Sequence, residues 1–325
     1  MRWKGGRLAC AGGGRKRLRA AEVSGSLGTM IAPLLAALLA QAAAAPAPAG
    51  APAAAAAPLP SDPLEADWQA IPDDEILVMT LAGGHRVAIR LAPRYAPAHV
   101  ANIRKLAAAR WWDGTGVYRV QDNYVAQWGG GDDKTALPPG VVENPPAEYE
   151  WPGFDAVAAF RFAKPDSYAV KTGVSADGWP LANYGATSSL THCYSMVGVA
   201  RDLAPSTGSG AELYTVIGHA PRALDRNIAI VGRVVEGMQW LSSLPRGTAD
   251  LGVYAPGEAH MPIVSVRLAS QLPATERPRY QVRATGNPRF AAWIKARENR
   301  SGPFFTVPAG GVDVCNALPA VRRAP

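Results

Sequence analysis

The 325-residue sequence is short of the residues from which metal centres and covalent active sites are usually built. It holds three cysteines and five histidines. The histidines (His85, His99, His192, His219, His260) stand apart, with no H-x-x-x-H or H-x-E pair, and no two cysteines have C-x-x-C spacing. The common zinc signatures are thereby excluded. The glycine run 129–131 leads into Asp132-Asp133 rather than Lys-Ser/Thr, with no helix signature behind it, so it is no phosphate cradle. Ser209 in TGSGA and Ser175 in GVSADG both miss the G-x-S-x-G register of a nucleophile elbow. No metal and no cofactor is expected. No internal repeat is present either.

Charge is missing altogether between positions 31 and 60. Residues 1–30 carry seven Lys/Arg against the single acid Glu22, out of 33 basic and 26 acidic residues in the chain. That leaves 26 basic and 25 acidic residues beyond position 60, so the net charge of +7 belongs almost entirely to the leader. The folded part is therefore expected to bind no nucleic acid. The stretch IAPLLAALLAQAAAAPA (31–47) reads as the apolar core of a secretory signal, with Ala43 and Ala45 forming an A-x-A cleavage pattern. It falls short of the roughly 20 apolar residues of a bilayer span. A disordered Ala/Pro arm on a cytosolic protein is the competing reading, and Met30 competes with Met1 as the start. The expectation is a basic leader and signal peptide over 1–45, an Ala/Pro-rich linker over 46–66, and export to the periplasm of a Gram-negative cell. No membrane span is expected in the mature protein, and oligomeric state is not legible. Two cysteines then remain, Cys193 and Cys315. They form a disulfide in an oxidising compartment, or serve as two small buried apolar residues; their spacing favours neither.

From Asp67 the texture is globular. EILVMTLAGGHRVAIRLAP (75–93) places two β-rich runs around Gly83-Gly84, a hairpin by its turn chemistry. In APAHVANIRKLAAARWW (96–112), Pro97 suits a first helical turn and Val100, Ile103, Leu106, Ala107 and Trp111 recur at helical spacing, with Asp113-Gly114 as the stop. Residues 133–190 are rich in Gly, Pro and aromatics without periodicity, which reads as an elaborated surface loop. Strands follow at 193–201, 212–218, 227–234 and 261–269, with a short helix at 236–244. Strands at short intervals with only two helices argue for a closed antiparallel barrel. NPRFAAWIKAREN (287–299) is an amphipathic helix with Phe290, Trp293, Ile294 and Arg297 on one side. It lies in a C-terminal appendage, 275–325, too small to be more than marginal alone.

One segment draws attention as a site. In VYRVQDNYVAQWGGGDD (117–133) a lone Arg119 lies between an aromatic and a valine. By itself such an arginine is a solvated strand charge. Its neighbourhood changes that reading. The order hairpin, AP-x-x-V-x-N-x-x-x-L helix (Ala96–Leu106), W-D-G (112–114), Y-R-V (118–120), Tyr124 to Gly129, A-E-L-Y (211–214), L-D (224–225) and IVGRVVEGM (230–238) resembles the cyclophilin family of peptidyl-prolyl isomerases over roughly residues 74–270.

The resemblance implies a mainly β fold, a closed antiparallel cyclophilin-like barrel with two capping helices over 67–274, carrying the irregular and helical appendage. It implies a peptidyl-prolyl cis-trans isomerase acting on proline-containing, unfolded or flexible polypeptides. Arg119 takes the place of the catalytic arginine. Tyr124, Val125, Tyr214 and Leu224 line the proline pocket, Gln127 holds the substrate backbone, and Glu212, where the family usually has glutamine, is a further substrate-binding residue. The tyrosines replace pocket phenylalanines, Ala223 replaces an aromatic, and Ile228 replaces a rim His or Tyr. These departures favour as alternatives a peptide-binding chaperone of low turnover or, more remotely, an unrelated small-ligand barrel.

Overall fold

A computed structural model describes residues 60–130 and 135–325. The leader, residues 46–59 of the 46–66 linker and residues 131–134 lie outside the described residues. Eight strands close an antiparallel barrel: β1 (Ile76–Leu81), β2 (Arg86–Leu91), β3 (Gly116–Val120), β4 (Val125–Gly129), β5 (Met196–Val199), β6 (Leu213–Val216), β7 (Ile230–Glu236) and β8 (Met261–Leu268). Their order around the barrel is β5-β6-β4-β3-β8-β1-β2-β7, with β7 returning to β5. The expected hairpin is β1–β2, and Gly83 turns it at φ 81°.

Strand β1 is apolar at nearly every position because both of its faces are covered. Leu77, Met79 and Leu81 join the barrel interior, where Ile89 and Val266 meet them. Ile76 and Val78 point outward and pack with Ala88, Tyr280 and Val282. A strand buried on both sides reads as a continuous hydrophobic run instead of an alternation. The outer cover is a three-stranded sheet of Trp68–Ala70, Tyr280–Arg283 and Val321–Arg323, in which Tyr280–Arg283 is the central strand and pairs with both others.

Helix α1 (Pro97–Ala108) gives Val100, Ile103, Leu106 and Ala107 to the interior, and α2 (Gln239–Ser242) gives Leu241. The helix stops before the expected Asp113-Gly114, since Arg110 at φ 57° turns the chain. Trp112 is then free of the helix and lies fully buried, its indole N–H donating to Ala211 O at 2.8 Å. No side chain of its own N-cap serves α1; the Glu148 carboxylate accepts from the N–H groups of Ala98 and His99 at 2.7 and 3.0 Å. An anion there suits the unsatisfied donors and the helix dipole. Asn102 bonds Val142 in both directions and Ser209 O, so α1 fixes two loops.

The segment 133–190 differs from the expected surface loop. It holds a five-stranded antiparallel sheet of Trp151–Pro152, Thr187–Leu190, Pro180–Asn183, Lys171–Ser175 and Ala158–Arg161. Phe154, Phe162, Val174, Trp179 and Leu181 from this insertion share a buried cluster with Val125, Met196, Tyr214 and Val216 of the barrel. Phe290 and Ile294 of helix α3 (Pro288–Glu298) complete it. Cys193 and Cys315 are joined as a disulfide, tying the appendage to the residues before β5. None of the helices among the described residues is long and apolar enough to cross a membrane.

Candidate active site

The register of the barrel brings distant residues into one row. Arg119 on β3 pairs with Gln127 on β4, Gln127 with Tyr214 on β6, and Tyr214 with Gly198 on β5. The next row, Val117, Trp128, Leu213 and Val199, belongs to the interior. Alternation along each strand therefore sends the Arg119 row outward. A bulge between Val117 and Arg119 adds one residue to β3, so that Tyr118 and Arg119 both reach Gln127. Bulges re-aim side chains in this way beside functional sites.

Three acceptors hold the half-buried Arg119 guanidinium. Its Nε donates to Leu251 O at 2.8 Å, and its two terminal nitrogens donate to Gln127 Oε1 at 3.0 Å and Gln121 Oε1 at 2.6 Å. Two of its five N–H groups find no acceptor among the described residues. Its Cζ lies 5.7 Å from the centre of the Tyr124 ring. The Arg119 cation faces a small cavity of about 150 Å³ with Tyr124, Val125, Tyr214, Leu224 and Ile228 in its walls. Gly218 makes the turn under Tyr124 possible, because any Cβ there would collide with the Asn123 backbone.

Of the residues singled out from sequence, Arg119, Tyr124, Val125, Gln127, Tyr214 and Leu224 meet at this cavity. Glu212 does not line it. It lies behind Gln127 in an adjoining groove of about 510 Å³, where its Oε2 accepts from the Tyr118 hydroxyl and from Gln127 Nε2 at 3.3 Å. Gln127 Nε2 also donates to the Tyr118 oxygen. Burial, and the Glu212 carboxylate that accepts its proton, push the Tyr118 phenol well above its ordinary value of 10. Tyr118 thus remains a donor, and the chain Glu212–Tyr118–Gln127–Arg119 fixes the amide of Gln127 so that its oxygen faces the guanidinium. Sequence reasoning missed Gln121, Tyr118 and the Leu251 carbonyl. Only the first two stand close enough to Arg119 in the chain to have been suspected.

The family model described as cyclophilin type peptidyl-prolyl cis-trans isomerase/CLD matches residues 76–268, more than half of the chain. The chain belongs to the cyclophilin family. It is a peptidyl-prolyl cis-trans isomerase by that membership, and cyclophilins bind proline-containing peptides. Its fold is similar to that of the cyclophilin AquaCyp293 from Hirschia baltica, with 24% identity, a TM-score of 0.62, and coverage of 79% of this chain and 93% of that one. That likeness is broader than the span 76–268, so the shared fold takes in more than the cyclophilin barrel. Two Cryptosporidium parvum cyclophilin type isomerase structures match at 11% and 12% identity with a TM-score of 0.36 each. They cover 59% and 60% of this chain and 98% and 96% of their own, and the first was determined in the presence of the dipeptide Ala-Pro. No curated protein matches the chain. In this cyclophilin the glutamate at 212 leaves a carboxylate beside the site, and its charge is shared with Tyr118 and Gln127 instead of meeting Arg119 directly.

Proposed function

We propose that this cyclophilin accelerates rotation about X-Pro bonds in exported polypeptides, with Arg119 stabilising the twisted amide. Rotation must break amide resonance behind a barrier of ~18–20 kcal/mol, and no bond to carbon is made or broken. Catalysis then consists of favouring the twisted form over both planar forms. In the twisted form the prolyl nitrogen regains its lone pair and accepts a hydrogen bond that the planar amide cannot accept. A guanidinium presents a fixed fork of donors and no acceptor, which suits that task. The cavity walls of Tyr124, Val125, Tyr214 and Leu224 grip the pyrrolidine ring and keep water from the more polar planar state.

The observation that carries this reading is the placement of Arg119. Three of its donors are tied to the protein, two remain for a ligand, and the ring-sized cavity lies beside it. Cis/trans exchange on a short X-Pro peptide, followed by NMR with purified wild type and Arg119→Ala, tests it. Wild type is expected to exchange the peptide far faster than the variant, by roughly 100-fold or more. Equal rates for the two, at the uncatalysed value, would leave a proline-segment binder of low turnover. Export is supported by the basic and apolar leader and by the Cys193–Cys315 disulfide, which suits an oxidising compartment. Osmotic-shock release of a protein cut near Ala45 checks it; a full-length chain retained with the cytosol would contradict it.

A further inference from the structure

A buried polar chain runs behind the cavity, and the reaction as described makes no use of it. His192 is 1% exposed. Its Nδ1 lies 2.9 Å from Asp225 Oδ1, which also accepts from the His192 backbone N–H at 2.8 Å. The other Asp225 oxygen accepts from Arg222 Nε at 2.8 Å, and Arg222 continues to Asp166 of the insertion at 2.7 Å. On the far side of the imidazole, Nε2 is 2.8 Å from the Tyr214 hydroxyl. The two rings are nearly parallel, at 15°.

Asp225 selects the tautomer. With Nδ1–H given to the carboxylate, Nε2 is bare and accepts the Tyr214 hydroxyl hydrogen. The hydroxyl is thus spent on the histidine and offers no proton to a ligand. Tyr214 lies across Gly198, where any Cβ would collide with its ring and hydroxyl. Gly198 leaves the space and His192 fixes the orientation within it.

We propose that His192, oriented by Asp225, is a positioning residue for the proline pocket that holds the Tyr214 ring in one orientation. The proposal rests on reading the 150 Å³ cavity as the proline site. A phenylalanine ring there would be held by packing alone and would have to settle when substrate arrives. Ordering the ring in advance lowers the cost of binding. Because the ring touches the pyrrolidine in planar and twisted states alike, the tether acts on KM more than on kcat.

The test measures kcat and KM on an X-Pro tetrapeptide for Tyr214→Phe, His192→Asn and the double variant. The asparagine amide replaces Nδ1–H toward Asp225 but does not reach Tyr214. Each single change is expected to raise KM about five-fold, the scale of one hydrogen bond, with kcat within about two-fold. The double variant is expected to match the singles, since one contact is lost in all three. A merely structural role would instead lower the melting temperature without this pattern in KM. Peptide titration of wild type with observation of the Tyr214 ring signals separates the two readings. Ring signals that shift while the variants keep KM within about two-fold, or effects that multiply in the double, would overturn the tether alone. Ring signals unmoved by peptide would overturn the pocket reading and the tether with it.

Discussion

On the β1–β2 side of the barrel the outward residues Ile76, Val78 and Ala88 are sealed under Tyr280 and Val282 of the terminal sheet. On the β3–β4–β6 side the outward residues Arg119, Gln127 and Tyr214 face a cavity. The two faces come from the same strand geometry, and the difference lies in what covers them. The covered face is apolar at Ile76, Val78 and Ala88, with buried Arg90 opposite Ile76 turned to Asp177, and each buried aliphatic side chain contributes about 1.5–3 kcal/mol to stability. The open face keeps one polar row, in which a cation is tied to three acceptors instead of to a carboxylate. On the proposed function, binding and chemistry occupy the cavity side of this wall, while the insertion packs against the same Val125 and Tyr214 from behind.

The contrast is broken most severely by damage to the sealed face. Ile76→Ala removes a fully buried side chain and is expected to cost ~2–5 kcal/mol in urea unfolding. Activity per folded molecule should stay within about two-fold; a large loss of kcat at unchanged fold would mean that the faces are coupled. Next comes the disulfide, which closes a loop of 122 residues. Cys315→Ser is expected to lower stability by ~2–4 kcal/mol while the folded fraction keeps its turnover. An unchanged urea midpoint would show that the appendage holds without the link.

The open face is sharpened by a smaller change. Gln121→Ala frees one end of the Arg119 fork and is expected to lower kcat roughly ten-fold, about 1.4 kcal/mol, with the melting temperature nearly unmoved. Retained kcat would show that Gln121 is a bystander. The smallest effect concerns acid. The Arg289 guanidinium donates to buried Asp67 and holds its carboxyl down at about 2, against an ordinary 3.8. A carboxyl depressed in the folded state contributes stability that is complete above 3.8 and lost as pH falls through 2. Proteolysis of the terminal sheet by an acid protease should therefore rise across that window in wild type and be flat in Asp67→Asn. Identical profiles would remove Asp67 from the account.

Much of this was legible from residue order. The hairpin, α1 and the barrel strands follow from apolar spacing and turn residues, and six of the seven expected site residues meet at one cavity. The inserted sheet was not legible, because KTGVS (171–175), PLAN (180–183) and TSSL (187–190) are short and alternate poorly. Their burial comes from partners far away in the chain. Register was equally hidden: nothing local says that Arg119, Gln127 and Tyr214 share a row. His192 stood among five scattered histidines until Asp225 and Tyr214 were seen on either side of it. Backbone acceptors such as Leu251 O leave no mark in composition at all.

On the proposed function, the Arg119 fork acts in the twisted state rather than in substrate binding. Arg119→Lys keeps a positive charge but loses the fork, so kcat and KM for an X-Pro tetrapeptide, measured by NMR exchange, test that claim most directly. The predicted result is a fall in kcat of roughly 100-fold with KM changed by less than about three-fold. Wild-type kcat with a raised KM would contradict it and reduce Arg119 to a substrate anchor.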